Sequence, residues 1–87
     1  MLYTLEIENS ALKELKKLDG RTRKRIINVI ESLRHNPRPD SVRKLTDSDS
    51  LYRVRVGDYR VIYQIQDKKL LVLVVRIGAR GDVYKNL

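Results

Sequence analysis

The stretch LYRVRVGDYRVIYQIQ, residues 51–66, constrains the fold more than any other part of the chain. Apolar and polar residues alternate on both sides of a central Gly57-Asp58 dipeptide. A period of two is the signal of a half-buried strand. Gly-Asp suits a two-residue hairpin turn whose first position has positive φ. With these two residues as the whole turn, Val56 pairs with Tyr59, Arg55 lies directly opposite Arg60, and Arg53 lies opposite Ile62. Side chains alternate across a strand. Tyr52, Val54, Val56, Tyr59, Val61, Tyr63 and Ile65 therefore share one face, which reads as core, with the three tyrosines as packing residues. Leu51, Arg53, Arg55, Arg60, Ile62, Gln64 and Gln66 share the other.

The remaining pattern supplies the partners of this hairpin. Residues 1–8 read as a strand, with Leu2, Tyr3, Leu5 and Ile7 as its apolar positions. Asn9 and Ser10 are N-cap residue types, and Ala11, Leu12, Leu15 and Leu18 then fall on one helical face. Gly20 reads as a C-terminal cap. A second helix is expected over about residues 21–35, with Ile26, Val29, Ile30 and Leu33 as its buried stripe. The prolines of HNPRPDS stop it, and residues 36–50 read as loop. A third C-terminal strand is expected over 69–77, after a turn at Asp67-Lys68. The order β-α-α-β-β-β predicts one α+β domain over residues 1–87, an antiparallel sheet with a helix hairpin packed on one face.

An arginine pair facing each other across a hairpin is unfavourable, because like charges directly opposite destabilise a sheet by some tenths of a kcal/mol. An anion held between two planar guanidiniums gives that pairing a purpose. The plainer reading is a solvated surface neutralised by Asp47, Asp49 or Asp58. Arg76, Arg80 and Tyr84 follow in the tail as further candidates. Arg76 can face either way, because the register of the last hairpin is open. Tyr84 reads either as an apolar plug over the sheet edge or as a stacking platform or proton carrier at an RNA site.

Charge points the same way. Nineteen Lys and Arg face 11 Asp and Glu, a formal net charge of +8. Residues 1–19 carry three basic and four acidic side chains, so residues 20–87 hold 16 and seven, a net +9. A field of this sign suits a nucleic acid or an acidic protein partner. Cysteine is absent, which removes disulfides, thiolate metal sites and a thiol nucleophile. A single histidine, His35, excludes a two-histidine ribonuclease mechanism. The serines have no histidine base in evidence, the carboxylates show no metal-site spacing, and no glycine-rich phosphate loop precedes a helix. No signal peptide or spanning segment is legible, so a cytoplasmic protein with no membrane partner is expected. What remains is a metal-free cluster of arginine and tyrosine.

LKKLD in the first helix, the hairpin LYRVRVGDYRVIYQI and the tail VRIGARGDVYK together resemble the RelE branch of the RelE/ParE toxin superfamily, over nearly all of the chain. The resemblance implies a microbial-ribonuclease-like fold and a toxin silenced by a cognate antitoxin. It implies action in the ribosomal A site, where bound mRNA is cut without metal or other cofactor by attack of a 2′-hydroxyl on the adjacent phosphate. By position, it assigns RNA-phosphate contacts to Arg53 and Arg55 and catalytic roles to Arg60, Arg80 and Tyr84, with Tyr84 as base and Arg80 as leaving-group acid or charge partner. Arg76 joins the phosphate-binding set. Arg53 and Arg55 cannot serve as bases, since arginine keeps its proton in a protein. A free tyrosine with pKa about 10 is ionised in roughly one molecule per thousand at pH 7, and nearby opposite charge lowers such a pKa by about 1–3 units. Charge stabilisation by Arg60 and Arg80, about 2.7–4 kcal/mol each by analogy with oxyanion-hole donors, is then the larger contribution. Where many relatives read GHR this chain reads Gly78-Ala79-Arg80, so Ala79 leaves no imidazole there. Two alternatives stand beside this reading: a non-catalytic toxin of the ParE type that binds a topoisomerase, and an RNA-binding variant crippled in catalysis at Ala79.

Overall fold

In the computed structural model, which describes residues 2–40, 42–45 and 50–79, two helices cover one face of a five-stranded sheet. The elements are β1 (Thr4–Ile7), α1 (Asn9–Lys17), α2 (Gly20–Ser32), β2 (Arg43–Lys44), β3 (Leu51–Val56), β4 (Tyr59–Gln66) and β5 (Leu71–Ala79). The strand order is β1-β5-β4-β3-β2. The α+β class and the helix hairpin on one face are as expected. The sheet is mixed rather than wholly antiparallel, because β1 runs parallel to β5, with Leu5 opposite Val72 and Ile7 opposite Val74. The helix hairpin carries the chain out of β1 and returns it on the far side, so the first and last strands meet side by side.

Each helix buries the stripe its spacing dictates. Ala11 and Leu15 of α1 and Ile26 and Ile30 of α2 are buried, as is Leu33 just beyond α2. Burying one such isoleucine fully stabilises the fold by about 1.5–3 kcal/mol. Lys16 and Lys17 close α1, where the helix dipole favours cations. The expected role of Gly20 is corrected: it is the first residue of α2, and Leu18 is the C-cap of α1. Asp19 decides this boundary, since its carboxylate accepts the Thr22 N–H at 3.4 Å and caps α2. No helix among the described residues is long and apolar enough to cross a membrane.

The hairpin has the expected register, with Val56 opposite Tyr59, Arg55 opposite Arg60 and Arg53 opposite Ile62. Gly57 has φ +61°, and Asp58 is not in the left-handed region, which matches a glycine-led two-residue turn. Val54, Val56, Val61, Tyr63 and Ile65 are buried against the helices. The second hairpin closes through a longer loop than the expected Asp67-Lys68, a 3-10 turn over Asp67–Lys69 followed by Leu70 at φ 49°.

Within residues 36–50, expected to be loop, the described residues 36–40 and 42–45 are anchored. The Tyr63 hydroxyl donates to the Pro37 carbonyl at 2.7 Å from a fully buried ring. The Arg38 fork grips both oxygens of Asp67 at 3.1 and 2.8 Å, and its guanidinium lies 5.3 Å from the centroid of the Tyr52 ring. Tyr52 stacks on Tyr63 with centroids 6.0 Å apart. The Tyr3 hydroxyl also donates to Asp67, at 2.7 Å. These bonds, first from Arg38 and then from Tyr3, hold the Asp67 carboxyl down to about 2. The anchored loop delivers the short strand β2 to the edge of β3, where Arg43 pairs with Arg53 and Lys44 with Tyr52.

Candidate nucleic-acid interface

The face of the sheet turned away from the helices collects the arginines. On β3 the buried valines 54 and 56 point toward the helices, which turns Arg53 and Arg55 to the opposite face. Arg60 stands opposite Arg55, and directly opposed residues in such a ladder have Cα atoms about 4.5–5.5 Å apart. On its other side Arg60 meets Gly78 of β5, which presents no side chain. A glycine inside a strand leaves room for another group to approach the backbone. Arg60 is half-buried, with its Nε screened from solvent, whereas Arg55 is exposed and its Nε donates to the Gly57 carbonyl at 3.0 Å. The hairpin turn thus steadies one guanidinium and the ladder places the other.

Arg76 joins this face through an irregularity in β5. The β4–β5 ladder runs Ile65 to Val72 and Tyr63 to Val74, then slips by one residue, so that Ile62 meets Arg76 and Val61 meets Ile77. Val75 is the extra residue of a β-bulge. In an unbroken ladder Arg76 would fall in line with Val72 and Val74, which are buried toward the helices. The bulge reverses the parity. Arg53, Ile62 and Arg76 therefore form a row across three strands, with Arg43 added at the β2 end. Ile62 is fully buried yet lies outside the helix-side core, and long arginine stems on either side are suited to cover such an apolar centre.

The charge is graded along the sheet. At the hairpin-turn end lie Arg55 and Arg60, and the next row holds Arg43, Arg53 and Arg76. Beyond them the row of Leu51, Gln64 and Leu73 is neutral, and Gln64 and Gln66 bond to Ser50 and to each other. A polyanion would meet five guanidiniums at one end of this face. A small cleft lined by Thr22, Arg25, Val56, Gly57, Asp58 and Tyr59 opens instead on the helix side of the hairpin turn. It holds one arginine, so the open arginine face is the stronger candidate for a polyanion. Among the described residues no three His, Cys, Asp or Glu side chains gather as metal ligands.

Of the site residues expected from the sequence, Arg53, Arg55, Arg60 and Arg76 are brought together. Arg80 and Tyr84 lie outside the described residues, as do Asp47 and Asp49. Tyr52, Tyr59 and Tyr63 pack against or within the core, as expected. Arg43 was missed: a two-residue strand inside a polar stretch carries no alternation to read.

Comparison with known proteins agrees with this architecture. Residues 5–84 match the family described as ParE toxin of type II toxin-antitoxin system, parDE. The putative toxin RelE1 of Methanocaldococcus jannaschii is 35% identical over 89 residues, 99% of each chain. The mRNA interferase toxin RelE of Escherichia coli is 31% identical over 88 residues, spanning 97% of this chain and 92% of that protein. The archaeal RelE–RelB complex from Pyrococcus horikoshii superposes with a TM-score of 0.83 at 31% identity, covering 94% of this chain and 99% of the matched one. A two-helix, five-stranded chain so matched along its length belongs to the RelE/ParE toxin family, as a toxin of the RelE type.

Proposed function

We propose that this protein is a metal-free endoribonuclease that cuts mRNA in the ribosomal A site and is silenced by a cognate antitoxin. The observation that carries the reading is the Arg55–Arg60 pair, two arginines in cross-strand register on one face, with Gly78, which has no side chain, beside the second. Two planar forks on one face, one strand apart, suit bidentate contacts to phosphate. The name mRNA interferase toxin RelE, borne by the Escherichia coli relative, supports the same substrate. The partner assignment draws on the RelE–RelB complex of Pyrococcus horikoshii. An acidic or amphipathic antitoxin would neutralise part of the +8 charge.

In the proposed reaction the mRNA 2′-oxygen forms a bond to the adjacent phosphorus and the P–O5′ bond breaks. The 2′-hydroxyl proton passes to Tyr84 as base, and the departing 5′-oxygen receives one from water beside Arg80, whose guanidinium stabilises the charge that builds there. Arg60 holds the charge that builds on the phosphorane oxygens, and Arg53, Arg55 and Arg76 hold flanking phosphates. Since acid–base catalysis by these groups is weak, orientation of the RNA by the ribosome supplies much of the rate.

The test is induction of the chain in growing cells with mapping of mRNA 5′ ends, repeated for Arg60→Ala, Arg80→Ala and Tyr84→Phe. New 5′ ends on translated messages that fade in the variants are expected. Cutting at the parental rate by both Arg60→Ala and Tyr84→Phe overturns the assignment. Topoisomerase inhibition without new 5′ ends would favour a ParE-like, non-catalytic toxin.

A further inference from the structure

Arg43 lies directly opposite Arg53, so this face carries a second cross-strand arginine pair beside Arg55 and Arg60. The placement is built. Pro39 accepts the Val42 N–H at 3.0 Å, Leu51 accepts the Leu45 N–H at 2.9 Å, and Val42 packs against the core. Upstream, Arg38 is clamped by Asp67. Arg43 itself is exposed, and its side chain takes part in no hydrogen bond or ion pair among the described residues. A cation on a short edge strand can simply guard that edge against pairing with another chain, but Lys44 already supplies one.

We infer that Arg43 and Arg53 form a second phosphate subsite, and that a single RNA strand runs obliquely over β3 from the Arg55–Arg60 pair toward the β2 edge. Arg53 and Arg55 are two residues apart on β3, about 6.4–6.8 Å along the strand, a spacing comparable to that of successive phosphates in an RNA strand. The ligand class is the RNA phosphodiester backbone, read for charge and spacing and not for base. This inference rests on the proposed function, which places RNA at the Arg55–Arg60 pair.

The experiment is the salt dependence of binding between the full-length chain and a 2′-O-methyl single-stranded oligoribonucleotide, which cannot be cut. Each phosphate contact adds about 0.7 to the slope of log K against log salt for single strands. Arg43→Ala and Arg55→Ala are each expected to lower the slope by about 0.7, and together by about 1.4. Arg43→Lys should keep the slope. Lys24→Ala, on the wet face of α2, should leave it unchanged. The melting temperature of Arg43→Ala should match that of the parent, because the exposed Arg43 side chain makes no hydrogen bond or ion pair among the described residues. A lower slope for Arg55→Ala with none for Arg43→Ala overturns this inference alone. No change in either overturns it together with the RNA reading of the face. A fall in melting temperature of Arg43→Ala with an unchanged slope makes Arg43 structural and also overturns it.

Discussion

Arg76 stands opposite Ile62 on the arginine-bearing face because the β4–β5 ladder slips by one residue at Val75. Without that slip its guanidinium would be aimed into the valine layer beneath the helices, where a charge is too costly to hold unpaired. The bulge thus serves the interface and the core together.

Deleting Val75 should leave a folded protein. The deletion removes the extra residue and leaves Arg76 opposite Ile62 and Val74 opposite Tyr63 in an unbroken ladder. The loss should not exceed about 2 kcal/mol, one side chain's share of burial. Cooperative denaturant unfolding and an unchanged salt slope for RNA binding are the expected results. A chain that no longer unfolds cooperatively would show that the bulge does more than set parity.

Gly57→Ala should weaken the hairpin. The left-handed conformation at φ +61° costs a residue with a Cβ about 1–2 kcal/mol, and the new Cβ would lie 3.3 Å from an Arg25 guanidinium nitrogen. Gly57→Asn should cost less, since asparagine tolerates this region better. Equilibrium urea unfolding of the two variants against the parent measures the difference, and equal losses would contradict the conformational explanation.

Tyr63→Phe removes the hydroxyl that donates to Pro37. The ring remains and still stacks on Tyr52, so the variant isolates the hydrogen bond. Leaving the Pro37 carbonyl without its donor in a buried site should cost about 1–3 kcal/mol. Burial also raises the pKa of the Tyr63 hydroxyl, so the bond should persist in mildly alkaline solution. A stability curve for Tyr63→Phe that overlays the parent would remove Pro37 as an anchor of the loop.

Acid should loosen the loop that carries β2. Arg38, and after it Tyr3, hold the Asp67 carboxyl down to about 2, below the unfolded value of about 3.9. A depressed folded pKa means that the unfolded chain takes up the proton first as pH falls. The contribution of Asp67 is therefore complete above about pH 4 and is lost as pH drops toward 2. Melting temperatures of the parent and Asp67→Asn should differ at pH 6 and converge as pH approaches 2. A constant gap across that range would contradict the assignment.

Much of the arginine face is legible in the amino-acid sequence itself. Strict alternation on both sides of Gly57-Asp58 leaves one register that buries the valines and tyrosines, and that register alone sets Arg55 against Arg60 and Arg53 against Ile62. The stripes of both helices are equally plain, because Ala11, Leu15, Ile26 and Ile30 recur at helical spacing. These features are local: a period or a glycine turn encodes them within a few residues. The face of Arg76 is not legible, since residues 70–75 are apolar at every position and satisfy either parity. Only packing of Val72, Val74 and Ile77 against the helices decided where the ladder had to slip. Arg43 and the parallel pairing of β1 with β5 were likewise settled by tertiary contacts. A two-residue strand has no periodicity of its own, and its partner is chosen by the anchors at Pro37, Arg38 and Asp67. The boundary at Gly20 turned on a competition between two local signals, which the Asp19 cap on Thr22 won.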